Sequence, residues 1–159
     1  MLKAIGVALT VASMLALAAI ALGYTSVGYG ADMPMQGPER FSPADRINWE
    51  QIVIERNGVR IGGMTGVRLV SLADTNSMDP TLDAEATAIE IVPASAEDLH
   101  VGDIISYQSG SDVIIHRIVE TGSDANGWYA VAKGDNNAVP DPAKVRFEQV
   151  KGVVVGIVY

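Results

Sequence analysis

Four residues with side chains capable of nucleophilic and acid–base chemistry lie in three separated polar boxes of the sequence. Ser77 lies in the box NSMDPTL, His116 in IIHRIVE, and both Asp135 and Asp141 in KGDNNAVPD. A hydroxyl nucleophile, an imidazole base and a carboxylate that orients the base are the parts of a hydrolytic triad. Such residues converge in space and not in sequence, so their wide separation is compatible with a single site.

The local sequence around each box favours a role for each side chain. Ser77 follows an apolar strand and precedes the turn signal Asp79-Pro80, which would present its hydroxyl at a strand end, beside backbone N–H groups able to form an oxyanion hole. His116 lies in an apolar strand, and an imidazole titrates near neutral pH, as a general base requires. Either aspartate of the third box could accept a hydrogen bond from the histidine. Each box alone is also compatible with a turn serine, a core histidine or a polar loop.

Neighbouring polar residues give further interpretations. Lys133 offers a Ser–Lys pair, in which a desolvated lysine replaces the histidine as the base. Arg117 is interpreted as a structural ion-pair partner, and both Asp103 and His100 as turn residues.

The segments that must position these residues are short, β-branched and separated by Gly, Asn, Asp or Pro. This pattern predicts a mainly β domain, built as a barrel or as stacked antiparallel sheets. Residues 51–60 predict a hairpin with a type I′ turn at Asn57-Gly58. Ser95 would cap one helical turn. The other predicted strands are 67–73, 88–92, 103–107, 113–120, 128–132 and 150–158.

The chain begins with an apolar segment of membrane length. Ala4 to Leu22 would span about 28 Å as a helix at about 1.5 Å per residue, close to the thickness of a hydrocarbon core. Lys3 is the only charged side chain in the first 30 residues, so the positive-inside rule puts the N-terminus in the cytoplasm and the domain outside. A cleaved signal peptide is the alternative interpretation. The predicted organisation is a transmembrane helix as anchor (1–30), a juxtamembrane linker (31–50) and an extracytoplasmic catalytic domain (51–159).

Charge and composition exclude several classes of function. The 159-residue chain has a formal net charge of −8, so nucleic acid is a poor partner, because binding phosphates needs clustered Lys and Arg. The absence of cysteine excludes disulfides, thiolate catalysis and Cys-zinc sites. With two histidines, a multi-histidine metal site is not expected. We therefore expect a hydrolase that uses neither a metal nor a cofactor.

In their order along the chain, the boxes resemble those of the type I signal peptidases. His116 stands where the main bacterial subgroup has lysine, so the resemblance is to the endoplasmic-reticulum and archaeal subgroup. Asn76 departs from the family pattern, which usually has a smaller residue before the nucleophile, and the hairpin over 51–61 matches no part of that pattern. The matching segments are SMDPTL at 77–82, VGDII at 101–105, IHRI at 115–118, KGDNN at 133–137, Asp141 and VKGVV at 150–154.

The resemblance implies a membrane-bound serine endopeptidase that removes signal peptides from secretory preproteins. It implies that Ser77 is the nucleophile and His116 the general base, with Asp141 first and Asp135 second as the carboxylate that orients the histidine. Substrates would carry small side chains at positions −1 and −3 of the cleavage site and would pair with strand 67–75 by β-addition. The residues expected to contact the substrate are Val70, Leu72, Asp74, Thr75, Asn76 and Met78.

Two other functions remain as alternatives. The first is a non-catalytic or partner-dependent β module, anchored in the membrane and binding peptides or accessory subunits. The second is a self-cleaving Ser–Lys protease of the repressor type. Those proteases are cytoplasmic and carry a DNA-binding segment, which fits poorly with an apolar N-terminus and an acidic domain.

Overall fold

The computed structural model describes residues 41–159. The predicted anchor (1–30) lies outside the described residues, and so does the first half of the predicted linker (31–40). Within the described part of the chain, no helix is long and apolar enough to cross a membrane.

The predicted hairpin is present as a two-stranded sheet of its own. A 3-10 turn, Trp49–Gln51, leads into β1 (Ile52–Glu55), which pairs with the antiparallel strand β2 (Gly58–Ile61). The predicted type I′ turn at Asn57-Gly58 is wrong. Gly58 pairs with Glu55 in the ladder, so the loop is Arg56-Asn57, and Asn57 does not have the positive φ that a type I′ turn requires.

A six-stranded antiparallel sheet forms the rest of the domain, so the prediction of a mainly β fold with antiparallel sheets is confirmed. Its strand order is β3-β4-β8-β5-β6-β7, which leaves β3 and β7 at the edges. Two further 3-10 turns, Ala96–Asp98 and Phe147–Gln149, connect strands. The strands are β3 (Arg68–Ser71), β4 (Thr87–Ile91), β5 (Ile104–Ser109), β6 (Asp112–Asp124), β7 (Gly127–Lys133) and β8 (Val150–Val158).

Apolar side chains cover both faces of the middle of this sheet. Along β5, Ile105 joins one buried cluster and its neighbour Ile104 joins a second; along β8, Val153 and Val154 divide in the same way. Successive side chains of a strand point to opposite faces, so the two clusters lie on opposite sides of the sheet. The central strands are therefore buried on both faces, and their polar residues must find partners inside the protein.

Glu90 is the clearest example of such a buried polar residue. Its carboxylate accepts hydrogen bonds from the Ser106 hydroxyl at 2.9 Å and from Arg68 at 3.2 Å, and its side chain is fully buried. Burial raises the pKa of the Glu90 carboxyl, and the two donors oppose that shift. Gly152 on β8 makes this possible, because a Cβ there would lie 2.4 Å from the carboxylate.

Candidate active site

Ser77 opens a tight turn that follows β3, as the sequence predicts. Backbone hydrogen bonds from Thr81 and Leu82 to the Met78 carbonyl, at 2.9 and 3.1 Å, close this turn. Met78 and Leu82 are buried in the second apolar cluster and fix the turn to the domain. Asn76, directly before the serine, has φ +55°. Asparagine tolerates this left-handed conformation better than other residues with a Cβ, which explains how it occupies a position where a smaller residue is expected.

His116 lies in the middle of β6, opposite Ile105 of β5. Its Nε2 is 3.1 Å from the Ser77 hydroxyl oxygen, within hydrogen-bonding distance for a base that accepts the serine proton. The residue is 6% exposed, so the surrounding protein restricts the position of the imidazole. The structure thus brings together the first two candidate residues.

Asp141 completes the hydrogen-bonded series. Its Oδ2 is 2.7 Å from Nδ1 of His116, the ring nitrogen on the far side from Ser77. The backbone N–H of Asp141 donates to the Ala132 carbonyl at 2.8 Å, which ties the loop after β7 back to that strand. The resulting order of serine, imidazole and carboxylate is the arrangement that activates a hydroxyl.

Tyr107 is a second donor to the Asp141 carboxylate that the sequence analysis missed. Its hydroxyl lies 2.5 Å from Oδ2, the same oxygen that faces His116. Burial, together with the hydrogen bond and charge of Asp141, raises the pKa of Tyr107 well above its usual range, so the phenol stays protonated and donates. The available signal was a tyrosine in a buried strand, since a buried phenol needs a hydrogen-bond partner.

The other aspartate of the loop, Asp135, pairs with Arg117 and not with the histidine. Arg117 donates from Nε to Oδ1 at 2.8 Å and from a terminal nitrogen to Oδ2 at 2.7 Å, a bidentate ion pair between two buried side chains. The Thr81 hydroxyl donates to the same carboxylate at 2.8 Å. Asp135 therefore joins β6, the serine turn and the 133–141 loop. The interpretation of Arg117 as an ion-pair partner agrees with these contacts.

The 133–141 loop also contacts the serine turn through its backbone. The Asn136 N–H donates to the Ser77 carbonyl at 2.9 Å, and its side-chain amide donates to the Asn76 carbonyl at 3.0 Å. Gly134 permits this approach, because a Cβ there would lie 2.5 Å from the Ser77 carbonyl oxygen. The ammonium of Lys133 donates to the Gly134 carbonyl at 3.2 Å.

Asp103 closes a turn, as predicted, because its backbone N–H donates to the His100 carbonyl at 3.1 Å, but its side chain is buried and has a further structural role. Its carboxylate is fully buried, forms an ion pair with Arg46 at 2.5 Å and accepts from the backbone N–H groups of Ala44 and His100 at 2.9 and 2.8 Å. The sequence did not reveal this ion pair, because the partner cation lies far away in the chain, inside the predicted linker. His100 is exposed, consistent with its predicted place in a turn.

A cleft of about 620 Å³ opens beside the Ser77 hydroxyl. Its walls come from β3 and the residues after it on one side and from residues 112–116 of β6 on the other, which means that the sheet curls to bring these strands together. Four of the six residues expected to contact substrate line this cleft: Val70, Leu72, Thr75 and Met78. The other two, Asp74 and Asn76, are exposed and are not part of its lining.

Thr75 also contacts the serine itself. Its hydroxyl oxygen is 3.1 Å from the Ser77 hydroxyl oxygen, so a second hydroxyl lies next to the candidate nucleophile and faces the same cleft. Among residues 41–159, no group of three or more His, Asp or Glu side chains is placed to hold a metal ion. The hydrogen bonds of His116 to Ser77 and Asp141 suit a different chemistry, the activation of a hydroxyl by an oriented imidazole.

Comparison with known proteins gives one informative match. The chain is similar to Signal peptidase I W of Bacillus subtilis (strain 168), with 29% identity over 83 residues. The match covers 52% of this chain and 44% of that protein, so the chain spans less than half the length of the relative. No family model matches the chain, and no solved structure matches it. The similarity supports a relationship to the type I signal peptidases, without assigning a subgroup.

Proposed function

We propose that this protein is a membrane-bound serine endopeptidase that removes signal peptides from secretory preproteins. The observation that carries the proposal is the continuous hydrogen-bonded series from Ser77 through His116 to Asp141 at the edge of an open cleft. The similarity to Signal peptidase I W supports the choice of substrate class.

The hydrogen bonds support a division of roles among these side chains. The Ser77 hydroxyl attacks the scissile carbonyl while His116 Nε2 takes its proton, and Asp141 holds the Nδ1 proton and stabilises the imidazolium. The histidine then gives its proton to the departing amine, which leaves an ester on the serine. Water deprotonated by the same imidazole hydrolyses that ester and releases the signal peptide.

The negative oxygen of each tetrahedral intermediate needs donors beside the serine. The Ser77 backbone N–H and the Thr75 hydroxyl are the groups we assign to this task, because that hydroxyl is 3.1 Å from the attacking oxygen and faces the cleft. The orientation of Asp141 toward the imidazole favours it over Asp135, whose carboxylate is engaged by Arg117.

Substrate would bind as an extended strand. β3 is an edge strand of the sheet, and it leads directly into the serine turn, so a peptide added along its open edge would reach Ser77. Val70 and Leu72 line the cleft beside this path and would limit the size of the side chains accepted there. Small residues at −1 and −3 are the expected preference.

Preprotein processing by the full chain in lipid vesicles tests the proposal, with Ser77→Ala as the variant. We expect cleavage by the native chain and none above background by the variant, with both chains giving the same thermal unfolding midpoint. If the variant processes the preprotein as fast as the native chain, Ser77 is not the nucleophile. If neither chain cleaves although both are folded, the non-catalytic β module becomes the better assignment.

A further inference from the structure

The β1–β2 hairpin has no role in the proposed chemistry, and its two faces differ in polarity. Directly opposed residues of an antiparallel pair share one face of the sheet. Ile52 pairs with Ile61, and Ile54 pairs with Val59, so one face consists of four β-branched apolar side chains. We call this set the apolar face of the hairpin.

The opposite face is polar. Val53 pairs with Arg60, and Glu55 pairs with Gly58. Glu55 and Arg60 form an exposed ion pair on this face at 2.9 Å. The ribbon therefore has one side suited to water and one side that is not.

The half of the apolar face that lies near the loop lacks the cover that such residues normally have, whereas Ile52 is 37% exposed and Ile61 is half-buried. Ile54 is 81% exposed and Val59 is 66% exposed, and Trp49, in the turn that leads into β1, is 79% exposed. The ribbon forms a sheet separate from the six-stranded one, and a two-stranded hairpin alone is marginally stable in water. Paired exposed apolar side chains such as Ile54 and Val59 are typical of an interaction site.

We propose that the apolar face of the hairpin inserts into the surface of a lipid bilayer. Trp49 has the ring that favours the membrane–water interface, and the apolar run Ala4–Leu22 precedes the hairpin in the same chain and would keep it close to the membrane. This inference rests on the membrane location in the proposed function, and it does not depend on peptidase activity.

The charges of the molecule favour lipid over a second copy of the chain. Each chain has a formal net charge of −8, so two copies repel each other. The hairpin segment itself is neutral, because Glu50 and Glu55 offset Arg56 and Arg60. Burial of apolar side chains, and not attraction to anionic headgroups, then drives the contact. Insertion should occur in zwitterionic vesicles and should not weaken as salt is added.

Fluorescence quenching by brominated lipid can test which face is inserted. The chain has two tryptophans, Trp49 and Trp128, and replacing both with Phe gives a silent background. In that background, Ile54→Trp places a reporter on the apolar face, and Val53→Trp places the matched control one position away on the polar face. The full chain is reconstituted in phosphatidylcholine vesicles that carry bromine near the top of the acyl chains.

We expect bromolipid to quench the reporter at position 54 at least about twofold more than the reporter at position 53, because an inserted face lies roughly 5–10 Å below the headgroup boundary. Equal quenching at both positions, or quenching of neither, overturns the proposal. A blue-shifted emission at 54 that bromolipid leaves unquenched and that disappears on diluting protein in lipid would assign the face to a second copy instead.

If the engineered tryptophans disturb folding, quenching of the two native tryptophans tests insertion independently. With Trp128→Phe, the remaining Trp49 should be quenched by bromolipid. With Trp49→Phe, the remaining Trp128, which packs against the core from β7, should not be quenched by bromolipid. The reverse pattern contradicts insertion. Repeating the measurement with Ser77→Ala separates the two proposals, since quenching should be unchanged when the candidate nucleophile is removed.

Discussion

Two adjacent residues of β6, His116 and Arg117, belong to two polar clusters that differ in burial and in their partners. His116 belongs to the triad, which we define as Ser77, His116 and Asp141. Arg117 belongs to the clamp, defined as Arg117, Asp135 and Thr81. The triad borders the open cleft, whereas the clamp is held by a bidentate ion pair between buried side chains.

The comparison teaches that the partner, and not the residue type, decides what an aspartate does. Asp135 and Asp141 lie in one short loop, yet one faces a guanidinium that is always charged and the other an imidazole that can gain and lose a proton. An ion pair with Arg117 holds segments together and has no proton to exchange. Changes to the triad, or to a hydroxyl that contacts it, should therefore act mainly on cleavage, whereas matched changes elsewhere should act on stability or have little effect.

The largest effect is expected for His116→Ala. Removing the proposed base should lower preprotein cleavage by about 10⁴-fold or more, because members of a triad act as a unit. Lys133→Ala is the control: the ammonium donates one part-buried hydrogen bond to the Gly134 carbonyl, so cleavage should stay within about threefold of native, on the scale of one ordinary hydrogen bond. Initial rates with a radiolabelled preprotein measure both. Rates that fall with Lys133→Ala and persist with His116→Ala would establish the Ser–Lys mechanism.

The two aspartates should separate activity from stability. Asp141→Asn should lower cleavage about 10³- to 10⁴-fold, because an amide fixes the wrong tautomer of the histidine. Its unfolding midpoint should remain near that of the native chain. Asp135→Asn should instead destabilise the domain by about 3–5 kcal/mol, because it leaves the Arg117 charge buried without its counter-ion.

Urea unfolding followed by circular dichroism measures the stabilities, and cleavage is normalised to the folded fraction. The expected result is a loss of activity without loss of stability for Asp141→Asn and the opposite for Asp135→Asn. If Asp135→Asn abolishes cleavage in a fully folded protein, the clamp takes part in catalysis and is not only a structural element.

The two threonines repeat the comparison with smaller effects. Thr75→Val removes the hydroxyl beside Ser77 and should lower the rate constant for cleavage about 10²-fold, as loss of one oxyanion donor does, with little change in stability. Thr81→Val removes a donor to Asp135 and should cost about 1 kcal/mol of stability with cleavage unchanged. Single-turnover rates distinguish the two. Equal rates for the native chain and Thr75→Val would remove Thr75 from the proposed oxyanion hole.

Sequence patterns predicted most of the strands but little of the polar network between them. The alternation of apolar residues is local, so the strands and the hairpin were found to within a few residues. The Asp103–Arg46 pair and the Tyr107–Asp141 contact join residues far apart in the chain, and no local pattern reports such partners. The choice between Asp135 and Asp141 stayed open for the same reason. Which aspartate contacts His116 depends on how the 133–141 loop folds against β6. Only the folded structure defines that.

Tyr107→Phe gives the smallest expected effect and tests the link between the triad and the core. Losing the donor to Asp141 should lower cleavage about tenfold, the scale of one hydrogen bond to a charged group. The phenol of Tyr107 should also make the free energy of unfolding vary with pH in the alkaline range. Because the pKa of Tyr107 is raised in the folded state, first by burial and then by Asp141, its stabilising contribution is complete below pH about 10 and is lost as pH rises above that value.

The native chain should therefore lose stability above pH about 10 with a slope of up to about 1.4 kcal/mol per pH unit more than Tyr107→Phe. Tyr129→Phe is the matched control, because that hydroxyl contacts Glu120 in an exposed position. Chemical denaturation between pH 8 and 11, about the range where phenols titrate, measures the difference. If the free energy of unfolding depends on pH in the same way for the native chain and for Tyr107→Phe, the pKa of Tyr107 is not raised by burial and by Asp141. Packing around Asp141, and not the hydrogen bond from Tyr107, would then hold this carboxylate in place.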